Sequence, residues 1–214
     1  KQGVVVQNVL HRDAVKGGVH KLFYNWIWCG ILDATTGRPT RERKMITKHI
    51  VVEPFDEHWR LDFLKIQNEL TDALGQLAIS IEHVGSTSVQ GLSAKPIIDI
   101  DVVIKDYNAL KDTISALEKI GYQYEGDLGI PGREAFRYDG KDHLKKHHLY
   151  VCPADSPELK RYIAFRNYLR THPDAVRKYS LIKEEGAKKY PDDIERYIEY
   201  KSPFIEGVYS EIGI

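Results

Sequence analysis

The chain has very little sulfur: two cysteines, Cys29 and Cys152, and a single methionine, Met45, in 214 residues. Two cysteines so far apart match no metal-ligand spacing, which excludes a disulfide framework and a thiolate zinc module and suits a reducing, cytoplasmic setting. Excess charge is also missing. With 31 basic and 31 acidic side chains, no overall field draws the molecule to nucleic acid or an anionic membrane, so any anion must be caught by a local site. No apolar run reaches the ~20 residues that a membrane-spanning helix requires. The nearest, Leu22 to Leu32, is interrupted by Asn25 and Gly30. No apolar stretch follows a basic start in the manner of a secretory signal, and neither repeats nor low-complexity tracts occur.

What is present divides the chain unequally. Residues 1–44 lack sustained periodicity and end in the basic run Arg41-Glu42-Arg43-Lys44, just before Met45. They are expected to form a weakly ordered N-terminal extension, with Met45 as the natural start; the alternative is an authentic element that uses Trp26 and Trp28 as core. From Met45 onward the pattern is regular, and residues 45–214 are expected to form one domain, with an α/β core over 45–153 and a helical tail over 154–214. His49 to Val52 reads as a short strand. Asp56 can cap a helix whose Trp59, Phe63, Ile66, Leu70 and Leu74 line one face, ended by Gly75. Ala78 to Val84, Pro96 to Ile104, Ala135 to Tyr138 and His147 to Cys152 read as strands, and Tyr107 to Ile120 as a helix ended by Gly121. In the tail, Ser156-Pro157, His172-Pro173 and Tyr190-Pro191-Asp192 punctuate three helices, with proline suited to the first turn. The fold class is therefore α/β (α+β), a mixed sheet with flanking helices and a C-terminal helical segment.

The chemistry concentrates on one strand and the turn before it. Residues two apart on a strand share a face, so Asp99 and Asp101 present two carboxylates together while Ile98, Ile100 and Val102 face the other way. Two adjacent carboxylates repel, and a divalent cation, Mg2+ or Mn2+, is the economical partner, its shell completed by phosphates and water. Taken by itself, such a pair is more often two solvated aspartates on a surface strand. The upstream Gly85-Ser86-Thr87-Ser88 follows a strand, and its backbone N–H groups and hydroxyls can make a concave phosphate site, with Lys95 adding a positive charge. Arg133 and Arg137, four apart, could reach phosphate as planar forks; each can equally be a solvated arginine.

These residues also carry a resemblance. Glycine-serine at a strand end, followed a dozen residues later by Asp-x-Asp, resembles the signature of the nucleotidyltransferase superfamily with the DNA polymerase β-like fold. More closely, His83-Val84-Gly85-Ser86-Thr87-Ser88-Val89, Ala94-Lys95-Pro96-Ile97-Ile98-Asp99-Ile100-Asp101, Gly129-Ile130-Pro131-Gly132-Arg133, His147-His148-Leu149-Tyr150-Val151 and Phe165-Arg166-Asn167-Tyr168-Leu169-Arg170 resemble the GrpB family over residues 49–206. The resemblance implies Mg2+ on Asp99 and Asp101, a nucleoside triphosphate held by Gly85, Ser86 and Thr87, and nucleotidyl transfer to an unknown acceptor with release of pyrophosphate. Here the chain departs from the superfamily. A third carboxylate is usual on a later strand, but His147 to Cys152 contains none, and its polar side chains are His147, His148 and Tyr150. His147 is expected to take the role of base or ligand. Its alternative is a structural imidazole donating to a backbone carbonyl.

Competing readings are weaker. Gly91-Leu92-Ser93-Ala94-Lys95 lacks the glycine before and the hydroxyl after the lysine that a P-loop requires, and a zinc site on His143, His147 and His148 is opposed by the strand that starts at His147. A non-catalytic module that binds a nucleotide or a partner protein, keeping the fold without turnover, is favoured by the missing carboxylate and opposed by the retained Asp pair. Basic residues of the tail are offset by acidic ones, which gives nucleic acid little support.

Overall fold

The computed structural model describes residues 49–214; the expected extension over residues 1–44 lies outside the described residues. A five-stranded mixed sheet forms the centre. Its strands are β1 (Ala78–Val84), β2 (Ile98–Ile104), β3 (Tyr122–Gly126), β4 (Glu134–Tyr138) and β5 (His147–Pro153), in the spatial order β1-β2-β5-β4-β3. β2 and β5 pair in parallel at the middle, and the outer pairings are antiparallel. Helices α1 (His58–Leu74) and α2 (Leu110–Lys119) cover one face, and α3 (Pro157–Thr171), α4 (Pro173–Lys189) and α5 (Ile194–Glu211) close the C-terminal end. This is the α/β (α+β) arrangement expected from the sequence, with its helical tail in three pieces.

The elements begin and end where local chemistry dictates. Asp56 accepts a hydrogen bond from the His58 N–H at 2.9 Å, and Gly75, with φ of 50°, stops α1. The five apolar positions of α1, Trp59, Phe63, Ile66, Leu70 and Leu74, are all buried, against Ile98, Ile100 and Val102 of β2 and Leu149 and Val151 of β5. At about 1.5–3 kcal/mol for each large apolar side chain removed from water, this layer is the main support of the sheet. Ser156 accepts from the Leu159 N–H at the start of α3 and Asp193 from the Arg196 N–H at the start of α5.

Two expectations fail. His49 to Val52 forms no strand: Ile50 donates its N–H to Pro191 O at 2.6 Å and packs with Ala187 and Tyr197, so tertiary contacts with the tail overrule β propensity. Only Glu53 pairs, as a single bridge to Ala94. Conversely, β3 was not expected. It is short and an edge strand, its middle residues Gln123 and Tyr124 are exposed, and its register rests on β4.

Candidate functional site

Parity on β2 and β5 creates the site. The parallel register sets Asp99 beside His148 and Asp101 beside Tyr150, all on the face turned away from α1, while Ile98 lies beside His147 on the core face. On the other side of β2, Glu82 of β1 stands opposite Asp101. Between this face and the tail helices lies a cleft whose lining includes Gly85, Ser86, Thr87, Lys95, Asp99, Arg133, His148, Tyr150, Tyr162, Lys183 and Lys201.

The turn after β1 requires its glycine. Gly85 has φ of 69°, and a Cβ there would stand 2.2 Å from Asp99 Oδ2, so turn and carboxylate can approach only because that atom is missing. Residues Ser86–Ser88 then make one 3-10 turn, tied by Ser88 Oγ donating to Gly85 O at 2.6 Å. Ser86 lines the cleft, and its hydroxyl joins none of the turn's hydrogen bonds among the described residues. Thr87 is different: its Oγ1 donates to Ile97 O at 3.4 Å and accepts from His83 Nε2 at 3.0 Å. That hydroxyl is engaged in holding the turn, which leaves the Thr87 backbone as its contribution to the cleft. His83 in turn stacks on Phe63 at 4.6 Å, and burial lowers its pKa to about 4, keeping it neutral.

The carboxylates differ from one another. Asp99 Oδ1 accepts from His148 Nδ1 at 2.9 Å; although burial alone would raise its pKa, this bond and the neighbouring positive charges carry it below the ordinary carboxylate range. Asp101 is fully buried, and neither of its oxygens accepts a hydrogen bond among the described residues. Burial pushes its pKa up to about 6, against the pull of Arg133, whose Nε lies 3.7 Å from Oδ1. Arg133 is only 5% exposed and sits over the Tyr150 ring, its Cζ 3.2 Å from that centroid and 4.5 Å from the centroid of Tyr162. Asp101 therefore lies behind Arg133 and is not part of the cleft wall.

The expected Mg2+ shared by Asp99 and Asp101 does not fit this arrangement. A bridging ion needs both carboxylates open on one side, whereas a guanidinium occupies the approach to Asp101. Among the described residues no group of three or more His, Cys, Asp or Glu side chains is placed to hold a metal ion.

The structure thus brings Gly85, Ser86, Thr87, Lys95, Asp99 and Arg133 together, leaves Asp101 behind Arg133, and separates Arg137 and His147 from them. Arg137 shares strand parity with Arg133 but lies outside the cleft, paired with Glu125 at 3.6 Å and Asp139 at 3.4 Å. His147 faces the core. Its Nδ1 donates to Lys145 O at 2.8 Å, which leaves Nε2 to accept from Tyr122 OH at 2.7 Å, and burial lowers its pKa to about 4. Both nitrogens are used, so the expected role of base or ligand is corrected to the structural alternative. The imidazole beside the carboxylate is His148. Sequence reasoning could have chosen it, since His148 and Tyr150 are the pair on β5 that must share one face.

Two lysines were also missed. Lys183 is 2% exposed and Lys201 5%, on α4 and α5 respectively, and both line the cleft. Lys183 Nζ has no hydrogen-bond acceptor among the described residues and lies 4.6 Å from the Tyr179 ring centroid. Burial, first, and mutual repulsion lower its pKa, and burial with Lys95 nearby does the same for Lys201. The available signal was a lysine on each apolar stripe: Val176, Tyr179, Lys183 and Ala187 on one helix, Tyr197, Lys201, Ile205 and Val208 on the other. Together Lys95, Lys183, Lys201 and Arg133 set four basic side chains in the cleft wall, whose lining includes the carboxylate of Asp99.

Comparison with known proteins follows the same boundaries. The family model described as GrpB protein matches residues 49–211. Protein YqkA of Bacillus subtilis is 32% identical over 152 residues, covering 71% of this chain and 44% of its own length. The glutamate-rich protein GrpB of Alkalihalophilus pseudofirmus is 30% identical over 166 residues, covering 76% of this chain and 95% of its own length. The crystal structure of conserved protein GrpB from Enterococcus faecalis is similar with a TM-score of 0.67 and 33% identity, covering 75% of this chain and 96% of that one. The chain thus spans less than half the length of the Bacillus relative.

Proposed function

The chain belongs to the GrpB family, and on that premise we propose that its cleft binds the phosphate chain of a nucleoside triphosphate. One observation carries the reading: four basic side chains, three of them buried to 5% exposure or less, converge on a glycine-led turn with a spare serine hydroxyl. Burial and mutual repulsion push Lys183 and Lys201 away from their charged form, and a bound anion favours that form again. Backbone N–H groups and the Ser86 hydroxyl take one phosphate, Lys95 stands beside it, and Lys183 and Lys201 reach the rest from the tail helices. Calorimetry of the protein with nucleoside triphosphates and with the matching nucleosides tests this. Triphosphates bind and nucleosides do not, and Lys183→Met with Lys201→Met weakens binding at least tenfold; equal affinity for the nucleosides would refute the reading.

A second reading, nucleotidyl transfer, is favoured by the Asp99–His148 bond. Asp99 fixes the His148 tautomer by accepting from Nδ1 and leaves Nε2 as a lone pair at the cleft. That nitrogen takes the proton of an acceptor hydroxyl as its oxygen attacks the α-phosphorus and pyrophosphate departs. Pyrophosphate release with candidate acceptors, lost in His148→Ala while triphosphate affinity stays within threefold, supports transfer. Binding with no release for any acceptor leaves the nucleotide-binding module as the function.

A further inference from the structure

Three anionic side chains on the cleft face of β1 and β2 each have their own protein cation or donor. Asp99 has His148, Glu82 has Arg166 at 2.8 Å, and Asp101 has Arg133 at 3.7 Å. The last pair is unusual. Arg133 meets Asp101 through Nε without a hydrogen bond, while its guanidinium carbon sits 3.2 Å over the ring of Tyr150, the residue registered directly beside Asp101 on β5. Its backbone is fixed there by the turn before β4, where the Arg133 N–H donates to Ile130 O at 3.2 Å and the Gly132 N–H to Tyr107 OH at 3.0 Å. A guanidinium is planar and weakly hydrated, so it can sit in a buried aromatic slot where an ammonium would lose too much water.

We propose that Arg133 takes the place of the divalent ion, so that the cleft binds a polyphosphate chain on protein cations alone, without a metal on Asp101. A divalent cation entering here would meet Arg133 beside the carboxylate it needs, and three lysines beyond it. An incoming phosphate chain meets four basic side chains, one of them paired with Asp101. Asp101 then acts on the arginine instead of on a metal, holding Arg133 on Tyr150 and keeping the guanidinium's outer edge toward the ligand. The polyphosphate arm of this inference rests on the reading that the cleft binds phosphate; the metal arm does not.

Two titrations of the full chain decide it. In the first, Mn2+ alone is added and bound ion is counted by electron paramagnetic resonance. The wild type takes up no Mn2+ at up to millimolar concentration, whereas Arg133→Met opens the carboxylate pair and gains a site that a further Asp101→Asn removes. Submillimolar Mn2+ binding by the wild type that Asp101→Asn abolishes would overturn the proposal, and this measurement needs no Arg133 variant to fold. In the second, inorganic tripolyphosphate is titrated in EDTA and again in Mg2+. Affinity in EDTA equals or exceeds that in Mg2+; binding that needs Mg2+ overturns the proposal. Tripolyphosphate bound in neither buffer refutes the phosphate-binding reading and this arm with it, while the Mn2+ count still decides who occupies the Asp101 site.

Discussion

The two faces of β2 and β5 are made by alternate residues of the same fourteen, yet they obey different physics. On one face Ile98, Ile100, Val102, Leu149 and Val151 meet α1 and α2 and are excluded from water. On the other, Asp99, Asp101, His148 and Tyr150 meet basic side chains from the turn before β4, from α4 and from α5. The neighbours His147 and His148 make the contrast sharp. One is locked between a carbonyl and a tyrosine hydroxyl and serves the core; the next, one residue on, is bound to Asp99 at the cleft. A one-residue shift in register would exchange them, so the packing of the core face is what aims the cleft face.

The comparison breaks most readily on the core side. Ile100 is fully buried and flanked by α1, so Ile100→Ala should cost about 2–5 kcal/mol, the range for large-to-small core changes. Urea unfolding measures it. Tripolyphosphate affinity of the folded variant should stay within about threefold, since the strands still keep their alternation; a tenfold loss with only a small stability change would mean that the faces are coupled more tightly than packing explains.

Proton linkage sets Asp101 apart from the core histidines by sign. His83 and His147 on the core side have pKa values lowered to about 4, so the unfolded chain binds more protons between about pH 6.5 and 4, and their stabilisation is lost as pH falls through that window. Asp101, raised to about 6, works in the opposite sense: the folded state holds the extra proton, and its contribution is lost as pH rises from about 4 to 6. Each is worth about 3 kcal/mol at most. Two histidines outweigh one aspartate, so stability should fall on acidification, and Asp101→Asn should steepen that fall. Melting temperatures across pH 4 to 7 test it; a shallower fall in Asp101→Asn would refute the assignment.

These contrasts also measure what the sequence could tell. Alternation on Ile98 to Ile104, the buried stripe of α1 and the three tail punctuations were legible, because each depends on residues close together in the chain. Gly85 with Ser86 and Asp99 was legible through spacing and the family resemblance. The place of His148 was available from parity but was given to His147, since nothing local says which of two adjacent histidines faces the core. Lys183 and Lys201 come from helices about a hundred residues beyond the turn. Arg133 over Asp101 is the least legible, because it depends on a turn that no periodicity announces and on the Tyr150 ring from another strand.

Gly85 joins the faces at their edge, and Gly85→Ala should act mainly on the cleft. The backbone there, with φ of 69° and ψ of −172°, costs an alanine about 1–3 kcal/mol, and its Cβ would stand 2.2 Å from Asp99 Oδ2, so Asp99 must move. The expected result is a modest drop in melting temperature with loss of tripolyphosphate binding. Retained binding would mean that the turn is not the phosphate seat.

Arg137→Gln should change least. Arg133 and Arg137 share a residue type, strand parity and, in the sequence, an equal claim to phosphate. The structure gives them different partners: Arg133 is 5% exposed, wedged between Asp101 and Tyr150, whereas the Arg137 side chain is 43% exposed and shared between Glu125 and Asp139. Exposed pairs of this kind contribute about 0–1 kcal/mol, because water screens them and ordering two long side chains has an entropic cost. Arg137→Gln should therefore shift stability by about 0.5 kcal/mol or less and leave tripolyphosphate affinity within twofold, while Arg133→Gln, which leaves Asp101 buried without its counter-charge, should weaken both. Comparable effects from the two substitutions would mean that the ligand extends along β4 beyond the cleft, and the division between the two arginines would fall.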